Sequence, residues 1–287
     1  MIQTVETNFI SQEETINLIG RDDVSFVDSS WYLPAQKRDG YAEYRSMRIP
    51  GAVFFDINQI VDPDTDLPHM LPSPEQFARA VSLLGISHEN RIIVYDGPGL
   101  FCAPRAWWTF SIMGAQDVRI LEGGFDQWKA KDLPMETGNP NPPRAKLFKT
   151  NFNSDRVASK LDVQAAIKNA EAKILDARSI NRFLGTEPEP REGLRSGHMP
   201  GAKSLPFTEL ITNEGKMIDR SELETLFQSM NIDQDTPIIT SCGSGVTAAV
   251  ISLALTQAGF HNHRLYDGSW AEWGQPNGPE IATNGEK

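Results

Sequence analysis

The 287-residue sequence predicts an α/β protein made of two tandem domains, each a largely parallel sheet flanked by helices. Three observations carry that prediction: a repeat at half the chain length, β-branched apolar runs alternating with amphipathic stretches, and a proline-rich break between the copies. Asp28 in "VSFVDSSW" and Asp176 in "AKILDARS" lie 148 residues apart, Gly51 and Gly201 150 apart. Asp96 in "RIIVYDG" and Cys242 in "PIITSCG" are separated by 146, Trp128 and Trp273 by 145. Four matches in order, drifting by so little, mean a duplicated domain and not a solenoid.

Each element follows from local chemistry. "RIIVYD" and "TPIITSC" are short apolar runs, read as parallel strands covered on both faces. "SPEQFARAVSLLG" and "DRSELETLFQSMN" open on a Ser or Asp cap, carry Glu in the first turn and close on Gly or Asn, as amphipathic helices do. "ETGNPNPPRAK", residues 136–146, is an extended linker by its prolines and asparagines. The domains are therefore read as residues 1–138 and 156–287, joined by a linker over 139–155. The tail "GQPNGPEIATNGEK" is expected to fray or to lie on the surface.

Composition narrows the function. With 39% hydrophobic and 23% charged residues, the chain has the composition of a soluble globular protein. The formal net charge of -11 argues against nucleic acid, whose phosphates most of the surface would repel. No apolar run is long enough for a membrane span, and "MIQTVETNFISQEE" lacks signal-peptide character, so a cytoplasmic location is expected. Two cysteines in such a compartment are free thiols.

One of them, Cys242, follows a strand and precedes "GSGVT" and the helical "AAVISLALTQAG". In a parallel sheet the carboxyl ends of the strands form the ligand crevice. Small residues there let successive N–H groups converge at a helix N-terminus, which favours an anion and a thiolate. Cys242 is thus the candidate nucleophile, with Ser244 beside it and Gly243, Gly245, Val246 and Thr247 supplying loop backbone. A nucleotide P-loop needs Lys and Ser or Thr after its last glycine, but Val246 and Thr247 stand there. A cysteine phosphatase loop needs an arginine six residues after the cysteine, and the chain has Ala248. Attack on sulfur, leaving a persulfide in the amide cradle, needs neither. The matching loop of the first copy has Asp96, which cannot carry sulfane sulfur, so that domain is expected to be silent. Cys102, opposite Ala248, is read as packing.

"CGSGVTAA", with "SWYLP", "IPGAVFFDI", "HMLPSPEQF", "YDGPGLFCAPRAWW", "GTEPEPR", "SGHMPGA" and "YDGSWAEWG", resembles the tandem-domain rhodanese superfamily over nearly the whole chain. Within it the loop is similar to that of the mercaptopyruvate sulfurtransferases; thiosulfate-specific members usually carry basic residues there. The resemblance implies two rhodanese-like domains, the second catalytic, and a sulfurtransferase that moves sulfane sulfur from 3-mercaptopyruvate through a Cys242 persulfide and releases pyruvate. The acceptor it implies is a thiol, cyanide or a thioredoxin-like protein. The few histidines and cysteines show no metal-ligand spacing, so no cofactor or metal is expected, and charge and composition argue against a nucleic-acid or membrane partner. Arg182 and Arg191 match the arginines that hold the donor's carboxylate and carbonyl. A guanidinium suits a carboxylate because its fork can pair bidentately. Arg178 is read as a structural ion pair and His198 as a turn histidine.

The same resemblance implies a proton-relay triad whose histidine lies in a first-domain His-Ile-Pro-Gly-Ala segment. Here Arg48 occupies that position, leaving Asp39 and Ser244 as relay candidates and Arg48 as a substrate-binding cation. An arginine cannot shuttle a proton near neutral pH. A thiosulfate sulfurtransferase and a non-catalytic persulfide carrier or sensor are the alternative readings.

Overall fold

The computed structural model describes residues 8–283. Residues 1–7 and 284–287, with the ends of the two terminal segments read above, lie outside the described residues. The chain forms two compact units. One comprises residues 1–60, 72–152 and 213–216, the other 61–71, 153–212 and 217–287. This departs from the contiguous boundaries expected. The stretch from Val61 to Leu71 belongs to the second unit, Asn213–Lys216 to the first, and most of the expected linker to the first.

In the first unit the strands are β1 (Phe9–Ile10), β2 (Val24–Asp28), β3 (Met47–Arg48), β4 (Val53–Phe54), β5 (Arg91–Tyr95), β6 (Asp117–Leu121) and β7 (Glu136–Thr137). Five of them form a parallel sheet in the order β1-β6-β5-β2-β4, and β3 pairs antiparallel with β7. The second unit has β8 (Val157–Ala158), β9 (Lys173–Asp176), β10 (Lys203–Ser204), β11 (Ile238–Ser241) and β12 (His263–Tyr266). They form a parallel sheet in the order β8-β12-β11-β9-β10, the same topology strand for strand.

The helices of the first unit are α1 (Gln12–Ile16), α2 (Gly40–Ser46), α3 (Pro74–Leu83), α4 (Ala103–Ile112) and α5 (Gly124–Ala130). Those of the second are α6 (Lys160–Asn169), α7 (Ile180–Leu184), α8 (Arg220–Ser229), α9 (Ala248–Gln257) and α10 (Ser269–Trp273). Ser73 and Asp219 cap α3 and α8 in reciprocal capping boxes with Gln76 and Glu222, as their sequences predict. β5 and β11 lie between neighbours on both sides and are almost wholly buried, which is why both read as unbroken apolar runs. α9 is buried along Ala248–Leu255 and so carries no polar face.

The proline-rich segment does not swing free: Lys146 N–H donates to Ser82 O at 3.0 Å, and Phe148 is buried. Nor does the described part of the tail fray. Ala282 exchanges backbone hydrogen bonds with His198, Trp273 Nε1 donates to Glu280 O at 3.0 Å, and Arg195 Nη2 donates to Pro279 O at 2.8 Å. Among the described residues no helix is long and apolar enough to cross a membrane.

Candidate active site

β11 delivers Cys242 to the carboxyl edge of the second sheet, where the loop 242–247 leads into α9. The thiol is free and buried. The loop is held from behind by the start of α10. Ser269 Oγ accepts the amides of Cys242 at 3.2 Å and Gly245 at 3.1 Å and donates to Tyr266 O at 2.8 Å. Trp270 N–H and Ala271 N–H donate to the carbonyls of Cys242 and Gly243. Gly245 has φ 76°, a conformation that a side chain would strain. Gly243 serves closeness: a Cβ there would stand 3.1 Å from Arg182 Nη2. Among the described residues, the amides of Gly243, Ser244, Val246, Thr247 and Ala248 donate to no protein acceptor.

The first unit shows what such amides hold. At the loop position of Cys242, the Asp96 carboxylate accepts N–H bonds from Gly99, Phe101, Cys102 and Ala103, at 2.5 to 2.9 Å. Burial raises the Asp96 carboxyl above the ordinary carboxylate range, and these amides oppose the rise. The counterparts of Phe101 and Cys102 in the second unit are Thr247 and Ala248. The duplicated frame is thus an anion cradle, filled from within in one copy and open in the other.

Ser244 Oγ sits 3.0 Å from His69 Nδ1 and accepts from Arg191 Nη2 at 3.3 Å. His69 is buried, with φ 62°. It comes from the Val61–Leu71 stretch that joins the second unit. Leu71 N–H of that stretch donates to Asp267 Oδ2 at 2.7 Å. Burial holds the Arg191 guanidinium below its ordinary pKa, and the nearby Cys242 sulfur opposes this. Arg182 pairs with Glu189, which also accepts from Arg178 at 2.7 Å. Arg178 meets Asp176 as well and lies 4.2 Å over the Trp270 ring, so it is the structural ion pair expected. Burial disfavours the Arg178 charge, but Asp176 and Glu189 outweigh it and raise the pKa.

The histidine missed by sequence is therefore His69, not a residue at position 48. Arg48 is a correction: its side chain is buried in the first unit, ion-paired with Glu136 and donating to Gly138 O at 2.7 Å and Tyr44 O at 3.3 Å. Its duplicate is His198, which is stacked on Phe183 at 3.9 Å and donates from Nδ1 to Phe183 O at 2.8 Å. Both fasten a closing β-pair, β3 with β7 in one unit and His198 with Ala282 in the other. Burial lowers the His198 pKa. Asp39 is likewise corrected from relay to N-cap, accepting Ala42 N–H at 3.0 Å. The signal for His69 was its place between prolines in "LPHMLP", a rigid loop with one chemically active side chain.

Residues 11–131 and 159–276 each match the family described as "Rhodanese-like domain". The chain belongs to the rhodanese family. This rhodanese is 43% identical to the 3-mercaptopyruvate sulfurtransferase of Escherichia coli (strain K12) over 269 residues, 93% of this chain and 95% of the relative. It is 38% identical to "Thiosulfate/3-mercaptopyruvate sulfurtransferase 2" of Arabidopsis thaliana, across 93% of this chain and 84% of that one. The crystal structure of SseA from Escherichia coli, a 3-mercaptopyruvate sulfotransferase by its description, superposes with a TM-score of 0.83 at 41% identity, covering 92% and 99% of the two chains. The rhodanese frame thus carries sulfurtransferase chemistry in both closely matched relatives.

Proposed function

We propose that this sulfurtransferase takes sulfane sulfur from 3-mercaptopyruvate onto Cys242 and passes it to a thiol, cyanide or a thioredoxin-like protein. The observation that carries the reading is Cys242 beside an open amide cradle, with Ser244 bonded to both His69 and Arg191. The Cys242 thiolate attacks the donor sulfur, the carbon–sulfur bond breaks, and its electron pair passes into the pyruvate enolate. Arg191 and Arg182 hold the carboxylate and keto oxygen and stabilise charge as it develops there. The thiol proton of the donor travels through Ser244 and His69 to the enolate carbon, giving pyruvate and a deprotonated persulfide. The cradle amides of Thr247 and Ala248 bind the persulfide anion as those of the first copy bind Asp96. A second thiolate then removes the outer sulfur, which makes the reaction ping-pong. Two free cysteines suit a reducing compartment and support a cytoplasmic location.

Mass spectrometry after mixing with 3-mercaptopyruvate tests this. One added sulfur on Cys242, with stoichiometric pyruvate, is the expected result; sulfur elsewhere, or its persistence in Cys242→Ser, overturns it.

A further inference from the structure

The proposed mechanism uses two cations, Arg182 and Arg191, but leaves a buried carboxylate beside them without a task. Glu189 has a side chain only 2% exposed. Its Oε1 accepts from Arg178 Nη1 at 2.7 Å and Arg182 Nε at 3.3 Å, and its Oε2 accepts from Arg182 Nη2 at 2.5 Å. Arg178 is already matched by Asp176, with which its side chain shares three hydrogen bonds. Glu189 therefore cancels charge that would otherwise face the donor. Arg191 feels Arg182, Glu189 and Cys242 together, so the groups form one electrostatic cluster.

We propose that Glu189 sets the charge class of the sulfur donor, restricting the site to monoanions. The cluster is summed without the nucleophile. Arg178 and Asp176 cancel, Glu189 cancels one of Arg182 and Arg191, and a single positive charge remains. A donor with one carboxylate neutralises that charge. A dianion such as thiosulfate leaves one negative charge uncompensated in a half-buried site, next to the thiolate that must attack it. At the effective dielectric of a protein, one such charge at contact range is worth on the order of tenfold or more in kcat/KM. The inference rests on the proposed donor, but concerns selection and not the sulfur transfer itself.

The test compares kcat/KM for thiosulfate and 3-mercaptopyruvate in the wild type, Glu189→Gln and Glu189→Asp. Glu189→Gln keeps the shape and an acceptor oxygen while removing the charge. It should raise the thiosulfate-to-mercaptopyruvate ratio about tenfold and steepen the fall of thiosulfate turnover with ionic strength. Glu189→Asp, which keeps the charge, should stay near the wild-type ratio. If loss of the Arg178 pairing unfolds Glu189→Gln, judged by circular dichroism, Thr247→Lys adds a cation with Glu189 intact and should shift the ratio the same way. An unmoved ratio in the folded charge variants, or an equal shift in Glu189→Asp, overturns the proposal. Wild-type turnover of 3-mercaptopyruvate is the control: its absence counts against the donor, while its presence with an unmoved ratio counts against Glu189 alone.

Discussion

The loops at Asp96 and at Cys242 are the same piece of architecture put to opposite uses. Each follows the central strand of an identical five-stranded order, each is tied by two amides of the following short helix to its first two carbonyls, and each opens a buried helix. In the first, a carboxylate fixed to the chain occupies the amides. In the second, a serine of α10 takes the rear amides and leaves the forward ones for a guest. Gly124 is the duplicate of Ser269, and a Cβ on it would come within 2.4 Å of Gly99 N, so the first copy has no room for that hydroxyl. The scaffold of an anion cradle is thus separable from its chemistry. A thiol, a serine tether and a histidine make the difference.

The comparison breaks most completely at the sulfur. Cys242→Ser should reduce pyruvate release from 3-mercaptopyruvate by at least about a thousandfold, since the proposed covalent intermediate forms on that thiol. Next comes the proton path. His69→Ala should lower kcat about a hundredfold, the usual loss for a general acid–base partner, while Arg48→Met, outside the site, should alter stability far more than it alters KM. Smaller is the tether: Ser269→Gly copies the Asp96 loop, relieves the φ of 48° at that position, and should cost roughly tenfold in kcat with little change in Tm.

The last test concerns a carboxylate that the copies share. Asp28 and Asp176 occupy equivalent places at the ends of β2 and β9, and each accepts the amide two residues on. Asp176 has Arg178 against it, whereas the first copy has Ser30 at that position. Burial accordingly pushes Asp28 up to about 7 from 3.8, with the Asp96 charge adding to the rise. Because the folded group keeps a proton that the unfolded one has lost, this raised pKa makes stability fall as pH climbs from 3.8 to about 7. Asp28→Asn should flatten that slope, by on the order of 1 kcal/mol per pH unit, in denaturant melts across the window. An unchanged slope would remove Asp28 as its source.

Much of this was legible in the chain. The duplicated landmarks carried the shared topology, because alternating apolar runs and capped helices are local signals that each copy repeats. Cys242, Ser244 and the loop glycines could be read for the same reason, as strand, turn and helix are contiguous. Arg182 and Arg191 became candidates through the resemblance, and the structure places Arg191 against Ser244 and Arg182 against Glu189. Glu189, two positions before Arg191, was hidden in plain view, since only its burial against two guanidiniums distinguishes it from a surface glutamate.

His69 could not be read by subtraction, and the attempt led to Arg48. The duplicate of Arg48 is His198, and both are fasteners of β-pairs remote in kind from the chemistry. The sequence by itself determined the two copies and singled out the candidate nucleophile with its glycine-rich loop, since these depend on neighbours within a few residues. Only the tertiary structure decided which histidine meets Ser244, that Ser269 holds the loop, and that Glu189 tempers the arginines. Those pairings join residues 175, 24 and 7 positions apart, and the path of the folded backbone, not local preference, brings their side chains into contact.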